Sequence, residues 1–462
     1  MRGLREMRGL RGWIRAWIFL VLVSAVGCAG SRPQLPDVPE PAAGYWFDDF
    51  RQARARLDEP ELLAGAAKVR ITPRPGVLIA GHGFNKHAKG VLDDLWVRAL
   101  YLDTGEEAVA LVSLDLIGLS APRIKRIRQR ISRRHALRIL VAATHNHAGP
   151  DSLGFWGPAL FGLLPTRSGI DEAYMERVEK AAARAVIRAV ARARPARLGL
   201  GRFLMPEGLA VNLREPGDVE RTVRLMRLSD SAGMTIATVV HYANHAESLQ
   251  DTNRWLSADF PGVLYRELDA ILGGVTLFFT GPAGGMIEPS NDPGDDEAER
   301  LAFREKLGGS LAAGTLRAVI AGLREPAPAP LRLRTMRLVL PLQADGLLRL
   351  AMSLGLMDPR PVAGEQIETE MALLDWGELS MLFLPGEPSP ELGRALRARL
   401  KGDLRMVIGV ALDELGYLLS DRQWADPRFE YERSMSVGPA AANRIMQALE
   451  CLQSDSCTRP WE

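Results

Sequence analysis

Two apolar runs, Ala108-Val-Ala-Leu-Val-Ser-Leu114 and Leu137-Arg-Ile-Leu-Val-Ala-Ala143, constrain the chain most. Both read as strands buried in a sheet. The first follows Trp96-Val-Arg-Ala-Leu-Tyr-Leu102 across Asp103-Thr-Gly105, which is the pattern of two strands joined by a tight turn. Between the two runs, Pro122 to Arg134 places apolar residues at helical spacing in a basic segment. Ala67 to Thr72 alternates like a strand and stops at Pro73, and Tyr174 to Ala193 is an alanine-rich helix. Further strands are expected over 222–228, 234–242, 275–280, 331–341 and 379–384, with a helix around 299–321. No internal repeat is visible. Strands and helices alternate throughout, so the expectation is an α/β fold of mixed β-sheets with flanking helices. Pro326, Pro328 and Pro330 mark either a domain boundary or a surface crossing within one domain.

The N-terminus reads as a targeting signal. Arg2, Arg5, Arg8, Arg11 and Arg15 precede the apolar run Trp17 to Val23, which is too short to span a membrane. Small residues then lead to Cys28, a pattern similar to a bacterial lipoprotein cleavage site. The expectation is a signal peptide over 1–28, lipidation of Cys28, and a proline-rich tether over 29–60. That places the protein outside the cytoplasm, anchored to a membrane of the bacterial cell envelope, periplasmic or outer. The chain has three cysteines, and an odd count in an exported protein asks for a reason. Lipidation removes Cys28, leaving Cys451 and Cys457 either as a local disulfide or as two thiols.

Composition excludes two classes. With 47% hydrophobic residues, the 462-residue chain is too apolar to be disordered and supports one large or two ordinary domains. The 58 basic and 56 acidic residues nearly cancel, and the surplus sits mostly at the N-terminus, so no basic field exists to hold nucleic acid.

Four of the seven histidines form two close pairs, each following an apolar strand. His145 and His147 lie in Thr144-His-Asn-His-Ala-Gly-Pro150; in extended chain, positions i and i+2 face the same way. His241 and His245 lie in Val239-Val-His-Tyr-Ala-Asn-His245. Imidazoles delivered by two loops at one sheet edge suit a zinc hydrolase, which leaves one coordination position open. The His-x-His pattern of metallo-β-lactamase-like hydrolases is set aside, because Ala148-Gly-Pro-Asp151 follows without a further histidine.

An ordered set of motifs resembles the neutral ceramidases over about residues 63–438. It comprises Thr144-His-Asn-His-Ala-Gly-Pro150, Asn244-His-Ala-Glu247 with Ser257-Ala-Asp-Phe-Pro-Gly262, Leu384-Pro-Gly-Glu387, Gly416-Tyr417 and Tyr431-Glu432. The resemblance implies a single zinc-hydrolase domain over 61–440, then a C-terminal helix and tail over 441–462, without the C-terminal immunoglobulin-like domain of larger members. It implies zinc ligands at His145, His245, Glu387 and Tyr417. By the same resemblance His147 contacts substrate or transfers a proton, Tyr431 orients the scissile amide, and Asn212 and Arg214 contact substrate, with one residue inserted in that element. The substrate class that the resemblance implies is a linear amide of a lipid-like molecule, either ceramide or an N-acyl amine.

One departure bears on mechanism. Where the family has Gly-Asp-Val-Ser-Pro-Asn, this chain has Gly285-Met-Ile-Glu-Pro-Ser290, so Glu288 stands in place of a serine. A mechanism through a metal-activated water survives that change, with Glu288 as general base or as a binder of a cationic group. Two readings therefore stand: a zinc-dependent amidohydrolase, and a metal-binding lipoprotein that holds a lipid or envelope ligand without turning it over.

Overall fold

The computed structural model of the chain describes residues 62–131, 137–162, 164–291, 296–343, 346–359 and 365–454. Cys28, Cys457, the signal and tether segments, and the end of the helix expected to reach Arg134 lie outside the described residues.

Three mixed sheets carry the fold. The first orders Arg138–Ala143, Ala108–Leu114, Trp96–Asp103 and Leu63–Arg70, with a short edge pairing at Arg194–Pro195. Its hairpin is closed as the sequence predicts: Asp103 accepts a hydrogen bond from the Gly105 amide, and Gly105 takes φ +90. Every residue of Ala108–Leu114 is buried, as a strand covered on both faces requires. The second sheet orders Val275–Thr280, Thr235–Tyr242, Thr222–Ser229 and Arg197–Leu204. The third orders Leu331–Pro341, Gln366–Trp376, Leu379–Phe383 and Leu404–Ile408.

Helices cover the sheets. Glu172–Ala191 buries Met175, Val178, Ala182, Val186 and Ala189 at helical spacing and packs on the first sheet, its N-terminus capped by Asp171. Phe260–Ile271 and Glu297–Ile320 pack together beside the second sheet. Ala440–Gln453 packs on Leu331–Pro341 through Ile445 and Leu449.

One apolar cluster draws on all three sheets, from Leu100 and Leu140 through Val239 and Leu277 to Leu374 and Met406. It includes Leu331 and Leu333, so the core continues across the proline segment at 326–330. An edge-on contact between Phe279 and Phe383, 6.2 Å between centroids, joins the second and third sheets, and such a pair is worth about 0.5–1.5 kcal/mol beyond its burial.

Each sheet contains one parallel pair: Ala108–Leu114 with Arg138–Ala143, Thr235–Tyr242 with Val275–Thr280, and Leu379–Phe383 with Leu404–Ile408. Ligand sites in parallel sheets form beyond the carboxyl ends of the strands. Here those three ends are knitted together. The Ala143 amide donates to the Val410 carbonyl, Gly409 to Thr280, and His147 to Ala246.

Candidate metal centre

Each parallel pair delivers side chains to one point. His145 follows Arg138–Ala143, His245 follows Thr235–Tyr242, and Glu387 follows Leu379–Phe383. Glu387 and Tyr417 are direct partners in a two-residue parallel pairing, which sets their side chains side by side.

The backbone at His145 corrects one expectation. The chain there is not extended: His145 takes φ +59 just after the strand ends. A left-handed histidine costs about 1–3 kcal/mol and persists only where its surroundings over-determine it. Asn146 supplies that constraint. Its amide donates to the Ser257 and Asp115 carbonyls and accepts from the Ala148 amide. The imidazoles of His145 and His147 still meet, edge-on with centroids 4.9 Å apart.

His145 donates from Nδ1 to the Ile117 carbonyl at 2.7 Å, and His245 from Nδ1 to the Ile287 carbonyl at 2.8 Å. With Nδ1 donating, either ring in its neutral form would carry its lone pair on Nε2. With no ion between them, the Glu247 and Glu387 carboxylates push His245 up to about 10, against its burial. Both Nε2 atoms lie 3.2 Å from the same oxygen of Glu387, Oε2. Rings fixed by a second hydrogen bond and converging on one carboxylate oxygen are a donor set that could hold a metal ion. Although burial works against it, the two imidazoles hold Glu387 well below the usual carboxylate range. The buried negative charge suits a cation. Burial, and then the Glu387 carboxylate, push the Tyr417 phenol well above its usual pKa.

A second group adjoins the first. His147 Nδ1 lies 3.1 Å from Glu247 Oε2 and 3.4 Å from His82 Nε2, and His82 Nε2 lies 3.3 Å from that same oxygen. Burial lowers His147 to about 3, so its ring is neutral. Each cluster, His145 with His147 and His245, and His82 with His147 and Glu247, brings its donor atoms within 4.8 Å of one another. Sequence reading missed His82 and Glu247 as site residues. The available signals were the flanking glycines of Gly81-His82-Gly83 and the position of Glu247 two residues after His245.

Glu288 reaches the same region. Ala210–Asn212 pairs with Ile287–Pro289, placing Val211 opposite Glu288. Burial, and then the nearby Glu247 carboxylate, push Glu288 up to about 7. The preceding loop comes close because Gly284 has no side chain; a Cβ there would lie 2.2 Å from the Glu387 carbonyl.

Solved structures share this arrangement of sheets. The neutral ceramidase from Pseudomonas aeruginosa superposes with a TM-score of 0.72 at 17% identity, over 86% of this chain and 74% of that one. A structure described as ceramidase complexed with C2 gives 0.69 at 17% identity, over 85% and 75%. The chain has the neutral ceramidase fold. No protein-family model matches the sequence, and no curated protein matches it.

On the neutral ceramidase fold, the remaining sequence candidates are placed as follows. Tyr431 is 44% exposed, its ring 6.0 Å from that of Tyr417. Arg214 donates from Nε to Glu432 at 2.6 Å. Asn212 spends its amide on its own loop, accepting from the Arg214 and Glu215 amides and donating to the Asp218 carbonyl. His241 stays inside its strand and faces the Val407 carbonyl, so it does not join His245 at the centre. Ser290 donates to the Gly208 carbonyl. The Ser257-Ala-Asp-Phe-Pro-Gly262 motif is structural: Asp259 caps Phe260–Ile271 and accepts from the Ser248 and Leu249 amides, fixing the loop that carries Glu247. Cys451 is disulfide-bonded.

Proposed function

We propose that this protein is a zinc-dependent hydrolase of linear amides carried on a lipid-like molecule, either ceramide or an N-acyl amine. The observation that carries the reading is the convergence of His145 Nε2 and His245 Nε2 on Glu387 Oε2, at 3.2 Å each. Glu387 is partnered with Tyr417, which completes the four ligands implied by the family resemblance. The shared neutral ceramidase fold supports the substrate class.

His145, His245, Glu387 and Tyr417 would hold the zinc, which when bound would supply Lewis-acid polarisation of the amide carbonyl and activation of water near pH 7. The chain's own residues supply the rest. Glu288, pushed up to about 7, is poised between protonated and ionised forms at neutral pH and acts as general base at its carboxylate. His147 keeps Nε2 buried and without a protein partner, beside His145 and His245, and is the second proton-transfer group. Tyr431 stands half-exposed and orients the amide. Arg214 holds Glu432 and, through its charge, tunes Glu288.

Glu288 in place of the serine favours a second reading, in which the centre binds a lipid or envelope ligand without cleaving it. Incubating purified protein with a panel of N-acyl amines and ceramides, and measuring released fatty acid by mass spectrometry, separates the two. Hydrolysis of at least one amide is expected, and binding without release supports the second reading. Membrane anchoring through Cys28 belongs to the same proposal, placing the centre where lipid amides occur.

A further inference from the structure

We propose that His82, His147 and Glu247 form a second metal site, making the centre dinuclear, with zinc as the ion its donor set favours. This rests on the reading of the first site as a metal centre. The neutral ceramidase ligand set described above includes neither His82 nor Glu247.

The geometry is that of one face of a coordination tetrahedron. Zinc bonds nitrogen and oxygen donors at about 2.0–2.2 Å, so neighbouring donors of a tetrahedral site stand about 3.3–3.6 Å apart. The three donors here stand 3.1, 3.3 and 3.4 Å apart, forming a closed triangle. The two measured edges of the first site are 3.2 Å each.

A hydrogen-bonded triad explains the triangle less well. Charge-assisted N–H···O bonds run about 2.7–2.9 Å, shorter than any edge here. Both imidazoles converge on Oε2 of Glu247, while Oε1 of the same carboxylate is buried without a partner. A triad that used both oxygens would leave neither of them buried and unsatisfied. The two nitrogens also face each other at 3.4 Å, which shared lone pairs on a cation accommodate and two N–H donors do not.

The approach of His82 is built into the chain. Gly81 takes φ +100, and a Cβ at that position would lie 2.5 Å from His147 Nδ1. Only glycine lets this loop pass over the ring. Asp259 fixes the Glu247 side of the triangle through the Ser248 and Leu249 amides. Two imidazoles and one carboxylate match the N/O ligand set of zinc sites that keep an open position. With a cation on Nδ1, the His147 proton sits on Nε2, and the ring becomes a hydrogen-bond donor toward the first site.

The test is metal stoichiometry. Metal-stripped protein is titrated with zinc(II), and bound zinc is measured by mass spectrometry after desalting. The expected result is two equivalents per chain in the wild type. His82→Ala and Glu247→Gln are each expected to lower it to about one, and the His145→Ala/His245→Ala double variant likewise. One equivalent in the wild type, unchanged by His82→Ala and lost in the double variant, overturns the second site and leaves the first intact. No bound zinc in the wild type overturns both. Should the variants misfold, cobalt(II) titration of the wild type by visible absorption decides alone: two saturating phases are expected, and a single phase ending at one equivalent overturns the proposal.

Discussion

Arg214 Nε lies 2.6 Å from Glu432 Oε1, joining the loop after Ala210–Asn212 to a glutamate that is fully buried. The second oxygen of Glu432 has no partner, so this arginine is the carboxylate's main compensation. Removing one member of such a pair leaves an uncompensated buried charge. Arg214→Ala is therefore expected to cost about 2–4 kcal/mol in denaturant unfolding, toward the lower side of the range for fully buried pairs because Arg214 is 24% exposed. The same variant removes a charge that lowers the Glu288 pKa. The general base must be ionised to act, so the acid limb of the pH–rate profile is expected to move to higher pH. An unmoved limb separates Arg214 from Glu288.

Glu288→Gln keeps size and removes charge. Turnover is expected to fall about 10²–10⁴-fold, the usual contribution of a general base, with bound metal unchanged. Steady-state rates alongside metal analysis check both halves. Full activity in this variant removes the carboxylate from the mechanism.

Asp115 gives a pH signature away from the ligands. It is buried, accepting from the Trp96 amide at 2.8 Å and the Tyr265 hydroxyl at 3.1 Å. Burial pushes it up to about 7, against the opposing charge of Arg98. A folded-state pKa above the unfolded value means that the stabilisation is fully present below about 4 and is lost as pH rises through about 7. Asp115→Asn removes this dependence. The stability of the variant relative to wild type is expected to climb by a few kcal/mol at most between pH 4 and 7 and then level off, read as a Tm difference that rises over that range. Thermal unfolding of both proteins across that range checks it, and a constant difference contradicts it.

Cys28→Ser is expected to move the protein from the membrane fraction to the soluble fraction without changing its Tm. The described residues begin at Leu62, and among them no helix is long and apolar enough to cross a membrane. Retention of the variant in membranes after a high-salt wash contradicts the lipid anchor.

The sequence made the sheets legible where burial is complete. Ala108–Leu114 and Thr235–Tyr242 are apolar because both faces are covered, and their patterns say so without long-range information. The centre was legible only as an ordered set of motifs. His145 and Glu387 are 242 positions apart, and their approach depends on three sheets meeting at their carboxyl ends. His82 and Glu247 carry no periodicity, and their meeting depends on a glycine turn at residue 81 and a cap at Asp259. The direction of a side chain in a loop was likewise hidden: Asn212 turns inward to shape its own turn, and His145 leaves the extended conformation that its spacing from His147 suggested.

The central claim is that metal at His145, His245, Glu387 and Tyr417 drives amide cleavage. It is tested most directly by following fatty-acid release from a short-chain fluorescent ceramide before chelation, after chelation, and after zinc is restored. The account predicts hydrolysis that disappears on stripping and returns with zinc. Undiminished hydrolysis by the stripped protein, or none by the zinc-loaded protein, contradicts it.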